Sequence, residues 1–128
     1  MATILIIDDA QDLRIILRHL LEGAGYRVLE AAGGEDGLRI WRREAVDVVI
    51  TDLIMPRVDG FHVIREIRRE RPGAKILVMS GAGDRGQINL LSEAVGLGAA
   101  GSFEKPFDLH EILRAVKDLV AMDQEPLP

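Results

Sequence analysis

Short, unbroken apolar runs alternate along the chain with longer segments of helical spacing. Ile4-Leu5-Ile6-Ile7, Val48-Val49-Ile50 and Ile76-Leu77-Val78-Met79 are continuous and mostly branched. That is the pattern of strands buried on both faces of a parallel sheet. Tyr26 to Ala31 and Ala99 to Phe103 are weaker and read as outer strands. Between these runs, Leu13, Ile16, Leu17, Leu20 and Leu21 fall at i, i+3, i+4, i+7 and i+8, and Leu109, Ile112, Leu113, Val116 and Val120 form a similar stripe, the mark of an amphipathic helix. Val63 with Ile67, and Leu91 with Ala94 and Val95, are shorter versions, and Leu38 with Trp41 marks a further helix. Gly23 and Gly25 end the first helix. Asp108 followed by Glu111 has capping-box spacing at the start of the last. Strand–helix units repeated five times imply an α/β fold, a doubly wound parallel sheet with helices on both faces. Residues 1–122 are expected to form one domain, and the polar, Pro-rich 123–128 a flexible tail or linker stump.

Composition narrows the classes. A chain of 128 residues makes one domain that buries roughly two-thirds of its unfolded surface. Sixteen basic against 21 acidic residues leave a net charge of −5, which argues against direct nucleic-acid binding by bulk charge. One Trp, one Tyr and three Phe are too few for a base-stacking surface. With no cysteine, disulfides and thiolate metal sites are excluded. No apolar run reaches the ~20 residues that span a bilayer, so no membrane insertion is expected. Met1-Ala2-Thr3 carries no basic n-region, and a cytoplasmic location is expected.

In an open parallel sheet, ligands bind beyond the carboxyl ends of the strands. The expected polar residues there are Asp8-Asp9 after the first strand, Asp52 at the end of the third, Ser80 at the end of the fourth, and Lys105-Pro106 after the fifth. Clustered carboxylates repel one another unless a cation sits among them. An all-oxygen donor set favours a hard dication, Mg²⁺ before Mn²⁺ or Ca²⁺. A carboxylate beside such an ion can attack phosphorus, while an ammonium and a hydroxyl can neutralise phosphoryl oxygens. The plainer alternative is that these Asp and Ser side chains cap the following helices.

The ordered signatures Ile7-Asp8-Asp9, Thr51-Asp52-Leu53-Ile54-Met55-Pro56 with Asp59-Gly60, Met79-Ser80-Gly81 and Lys105-Pro106-Phe107 resemble the receiver domain of two-component response regulators, of the chemotaxis-regulator type. The resemblance runs from residue 3 to about residue 122. It implies a flavodoxin-like sheet of order 2-1-3-4-5. By the same resemblance, Asp52 is the phosphoacceptor, and Asp8 and Asp9 hold Mg²⁺ with Asp52 and the backbone carbonyl of Ile54. Ser80 follows the phosphoryl group, Lys105 pairs with it, and the Lys105–Pro106 bond is cis. Gly60 opens the third helix and Met55-Pro56 shapes the loop over the site. The implied partners are a histidine kinase or histidine phosphotransfer protein and an unknown downstream protein. Family members often form a homodimer through the fourth helix, fifth strand and fifth helix. The implied function is a phosphoryl-accepting switch in a phosphorelay, with no enzymatic activity beyond transfer to its own Asp52 and slow autodephosphorylation.

Three features depart from the family pattern. Ser102 stands where the family carries an inward-turning aromatic; Phe103 follows it, and adjacent strand residues face opposite sides. The Ser80–Lys105 spacing is 25 positions, a few more than usual, with Gly81 to Gly86 holding the extra length as a mobile loop. Ile54 and Ala82 occupy the positions that tune hydrolysis, and neither side chain can hydrogen-bond a water, so slow loss of phosphate is expected. Ser102 favours a second reading, a phosphorylation-independent adaptor. A Mg²⁺-dependent phosphatase would want an acid where Ile54 stands. A flavin protein would want a hydroxyl- and Gly-rich loop in place of Asp9-Ala10-Gln11-Asp12. His19, His62 and His110 lie on different helices with no spaced partner, and Arg65, Arg68, Arg69 and Arg71 with Glu66 and Glu70 read as a solvated helix face.

Overall fold

The computed structural model describes the backbone of residues 1–81, 87–106 and 108–124, with the side chains of all of these except 87–91 and 123–124. Strands and helices alternate as β1 (Thr3–Ile7), α1 (Gln11–Gly23), β2 (Arg27–Ala31), α2 (Gly34–Arg43), β3 (Val48–Asp52), α3 (Gly60–Glu70), β4 (Ile76–Ser80), α4 (Gln87–Gly96), β5 (Gly101–Glu104) and α5 (Leu109–Gln124). The strands form one sheet in the order β2-β1-β3-β4-β5, and every neighbouring pair is parallel. This is the flavodoxin-like arrangement.

The unbroken apolar runs are the central strands: every residue of β1, β3 and β4 is buried. Because side chains alternate across a strand, one run feeds two cores. Ile4, Ile6, Val48, Ile50, Leu77 and Met79 pack with Leu17 and Leu21 of α1 and Ile112 and Val116 of α5. Leu5, Ile7, Val49, Ile76 and Val78 pack on the other face with Leu38 and Trp41 of α2 and Val63, Ile64 and Ile67 of α3. Each such side chain contributes roughly 1.5–3 kcal/mol on burial, so the centre of the sheet is a rigid platform for its carboxyl edge. Among the described residues, no helix is long and apolar enough to cross a membrane.

Some boundaries differ from the apolar pattern. The Tyr26 amide donates to Leu21 O at 3.1 Å and Gly25 is left-handed at φ 95°. Tyr26 therefore completes the end of α1, and β2 begins at Arg27. At the other edge Gly98 turns the chain at φ 113° and the Ala99 amide donates back to Ala94 O at 3.2 Å. Ala99 is thus spent on closing α4, and β5 runs from Gly101 to Glu104 rather than from Ala99. The last helix continues to Gln124, two residues beyond the expected domain end; Ala121, Met122 and Gln124 are good helix formers, and the helix runs on through Asp123. At its start, Asp108 Oδ1 accepts from the His110 amide at 2.8 Å, a side-chain cap. Residues 125–128, Phe107 and the segment 82–86, including Ala82, lie outside the described residues.

Candidate functional site

All strands being parallel, their carboxyl ends lie along one edge. Asp8 follows β1, Asp52 closes β3, Ser80 closes β4 and Lys105 follows β5. Asp52 lies opposite Met79 in the β3–β4 register, which sets it one step from Ser80. The Lys105 amide donates to Ser80 O at 2.8 Å and ties the β5 exit to the end of β4. The Lys105–Pro106 peptide is cis.

The expected carboxylates converge. Asp8, Asp9 and Asp52 each offer an oxygen, and these oxygens lie within 4.8 Å of one another. Asp8 is fully buried and Asp52 is 6% exposed, whereas Asp9 is exposed. Lys105 Nζ reaches Asp8 Oδ2 and Asp52 Oδ2 at 3.3 Å each. Burial raises the Asp52 carboxyl above the ordinary carboxylate range; Lys105 opposes this and the neighbouring Asp8 adds to it. Asp52 Oδ1 is buried without a hydrogen-bond partner among the described residues. Such an oxygen is costly to leave unsatisfied.

These residues fit a hard dication. Three carboxylates against one ammonium leave a formal charge of −2 at the cluster, the donors are all oxygen, and one Asp52 oxygen is buried with no hydrogen-bond partner among the described residues. Helix capping does not account for them. Helix α1 has Ala10 at its N-cap with no side-chain cap, and α3 is capped by Asp59, whose Oδ1 accepts from the His62 amide at 3.0 Å. Asp8 does serve the loop, since its Oδ1 accepts from the Ala10 amide at 2.9 Å.

The β3–α3 loop is shaped by a close approach. Gly60 opens α3, its amide donating to Leu53 O at 2.9 Å, and a Cβ there would meet Asp52 O at 2.2 Å. Within the loop Met55 is buried and Arg57 adopts φ 68°. Ile54 is 52% exposed beside the acidic cluster. On β5 the register is regular, with Val78 opposite Ser102 and Met79 opposite Phe103. Ser102 is exposed, while Phe103 packs against the α1–α5 core. No bulge turns Phe103 toward the other face. Ser80 is fully buried.

The apolar pattern gave no reason to single out Arg14. Its Nη1 donates to the backbone carbonyl of Asp8 at 2.7 Å and its Nε to Glu30 at 3.2 Å. The available signal was a basic residue between Leu13 and Leu17, on the sheet-facing side of a helix that starts beside the acidic pair.

An open sheet of this order, with carboxylates and a lysine gathered at its carboxyl edge, defines a signalling module of the two-component class. The chain belongs to the response regulator receiver domain family, whose model matches residues 4–117. It is 33% identical over 114 residues to sporulation initiation phosphotransferase F of Bacillus subtilis (strain 168), covering 89% of this chain and 90% of that protein. It is also 33% identical over 114 residues to chemotaxis protein CheY of Thermotoga maritima, covering 88% and 92%. A solved response regulator receiver domain protein from Clostridium thermocellum superposes with a TM-score of 0.89 at 31% identity, over 97% of this chain and 98% of that one.

Proposed function

We propose that this receiver domain is a phosphoryl-accepting switch of a phosphorelay, with Asp52 as the acceptor. The observation that carries this is the convergence of Asp8, Asp9 and Asp52, with Lys105 between two of them. Asp8, Asp9 and Asp52 would hold Mg²⁺, or Mn²⁺ in its place, with the Ile54 carbonyl as a further ligand. The ion supplies charge neutralisation at the phosphoryl oxygens. An Asp52 oxygen attacks the phosphorus of a phosphohistidine on a histidine kinase or phosphotransfer protein. The new P–O bond forms as the P–N bond breaks, and the imidazole departs. Lys105 stays against the phosphoryl charge, and Ser80 donates a hydrogen bond to it. The added charge then biases the surface read by a downstream protein.

An apolar hollow beside the site supports a protein donor. It measures about 280 Å³ and is lined by Leu13, Ile16, Lys105, Pro106 and Leu109. Ile15 and Ile16 of α1 are 43% and 47% exposed, which suits packing against a partner.

The test is intact-mass analysis after incubation with Mg²⁺ and a small phosphodonor. One phosphoryl adduct is expected on the wild type and none on Asp52→Asn or without the ion. The adduct should decay slowly, because the exposed Ile54 side chain can shield the phosphorus but cannot orient a water; rapid hydrolysis of the purified phosphoprotein would contradict this. A second reading, the phosphorylation-independent adaptor, draws on Ser102 and Phe103. The β5 face bearing Ser102 presents only a small side chain there, with no ring to move toward Ser80. No adduct, under conditions that label a control receiver, would favour it.

A further inference from the structure

We infer that Arg14 is a positioning residue for the divalent ion, acting on Asp9 through the backbone of the β1–α1 loop. This rests on the metal reading above and adds a residue that does not itself bind the ion.

Asp9 is exposed, and its carboxylate makes no hydrogen bond or ion pair among the described residues. The direction of its Cα–Cβ bond, and so the region its carboxylate can reach, is therefore set by the two peptide planes that flank it. The plane after it is held by the Ala10 amide, which donates to Asp8 Oδ1 at 2.9 Å. The plane before it is held through the Asp8 carbonyl, which accepts from Arg14 Nη1 at 2.7 Å. The Asp8 amide is tied to Ala31 O at 3.1 Å and its Oδ2 to Lys105. Every polar group of Asp8 is thus engaged, and Arg14 supplies the contact that reaches toward Asp9.

Arg14 is itself held. Its Nε donates to Glu30 Oε1 at 3.2 Å, with only 15% of the arginine side chain exposed. The other carboxylate oxygen of Glu30 takes Arg18 Nη1 at 2.6 Å. Glu30 sits on β2, in register with Ile6 of β1. The guanidinium therefore spans from the rigid sheet to the loop, a fork that an ammonium cannot reproduce. The loop has need of it, since α1 has no side-chain N-cap. Groups that orient metal ligands in this way typically change affinity 10–100-fold when removed.

Charge and position make opposite demands, which gives a sharp test. By Coulomb's law alone, removing a cation beside an acidic site tightens Mg²⁺ binding, and replacing arginine by lysine leaves it unchanged. By positioning, both replacements weaken it. Mg²⁺ is titrated calorimetrically into the wild type, Arg14→Lys and Arg14→Met, with the metal-free melting temperature recorded for each. A core truncation away from the loop, Val116→Ala, serves as a stability control, since Val116 is fully buried against α1 and the sheet. The expected result is an affinity loss of about tenfold in both Arg14 variants and wild-type affinity in Val116→Ala. Unchanged or tighter binding in either Arg14 variant overturns the inference, as does an equal loss in Val116→Ala. Should Arg14→Met not fold, Arg14→Lys decides alone. A wild-type chain that binds no Mg²⁺ removes the metal reading and this inference with it, whereas wild-type binding with an unaltered Arg14→Lys removes only the inference.

Discussion

Gly60→Ala links the fold to Asp52, the proposed acceptor, through one added atom. A Cβ at Gly60 would lie 2.2 Å from Asp52 O, 2.7 Å from Leu53 Cα and 3.0 Å from Asp52 C. All three are backbone, so no rotamer change relieves the contact, and either α3 or the end of β3 must move. Overpacking of this kind costs roughly 1–3 kcal/mol, and the absence of a flexible neighbour places this case near the top. Replacing glycine returns up to ~1 kcal/mol of backbone entropy, leaving a net loss of about 2 kcal/mol. For a domain of this length that corresponds to a melting temperature lower by about 7–8 °C. Gly23→Ala is the matched control. Nothing lies within 4 Å of its Cβ position, so it should hold or raise the melting temperature by a few degrees, given ~0.4–1 kcal/mol from chain entropy. The assay is thermal unfolding without divalent ion, followed at 20 °C by mass-detected phosphorylation of the folded variant. Because two of the three crowded atoms belong to Asp52, Gly60→Ala should also take up phosphoryl more slowly. A Gly60→Ala protein that melts with the wild type would refute the close approach and the account of the loop built on it.

Two further outcomes follow from the geometry. Burial raises the Asp52 carboxyl, so the folded chain holds that proton more tightly than the unfolded chain. The associated stability is present below the ordinary carboxylate value and is lost as pH rises through the raised one. Metal-free wild type should therefore lose stability relative to Asp52→Asn as pH rises from the ordinary carboxylate value in urea titrations, and parallel pH profiles would sink the assignment. The lone tryptophan sits elsewhere: Trp41 is buried under the Arg71 guanidinium, 5.4 Å from the ring centroid, and Arg71 follows the C-terminus of α3. That is the opposite end of α3 from Gly60 and the acidic cluster. Mg²⁺ should leave the tryptophan emission unchanged while unfolding alters it; a clear quench on adding Mg²⁺ would contradict this placement.

Legibility in the sequence followed the range of the interactions involved. Strands β1, β3 and β4 show as unbroken branched runs because both faces are buried, and a parallel sheet then obliges the residues just past those runs to share one edge. Asp8, Asp52, Ser80 and Lys105 could be gathered by that logic before any distance was known. The edges of β2 and β5 were less legible. They are set by backbone turns at Gly25 and Gly98 and by single amides returning to the preceding helix, and the apolar pattern carries no trace of these. Arg14 was hidden for a related reason. Helical periodicity fixes which way it points, but its acceptor is a carbonyl at the end of another element, and carbonyls have no side-chain signature. The clash at Gly60 is likewise a meeting of backbones, visible in sequence only as a glycine.

The departures from the family pattern are unevenly placed, and this bears on how the protein should be assayed. The acidic cluster, Lys105 and the Gly60 approach draw on β1, β3 and the exit of β5, and each stands where the sheet edge puts it. The long Ser80–Lys105 spacing and Ser102 both fall between β4 and the end of β5. On the proposed function, phosphoryl uptake would depend on the first set of contacts, and any change of surface that follows would depend on side chains of the second. The β4–β5 register holds Phe103 in the α1–α5 core and leaves Ser102 at the surface, so a ring cannot change sides without shifting the strand by a residue. On that reading, uptake and output are separable. A chain that accepts phosphoryl on Asp52 would not thereby be shown to switch through β5, and its output should be sought by comparing partner binding of the wild type and Asp52→Asn.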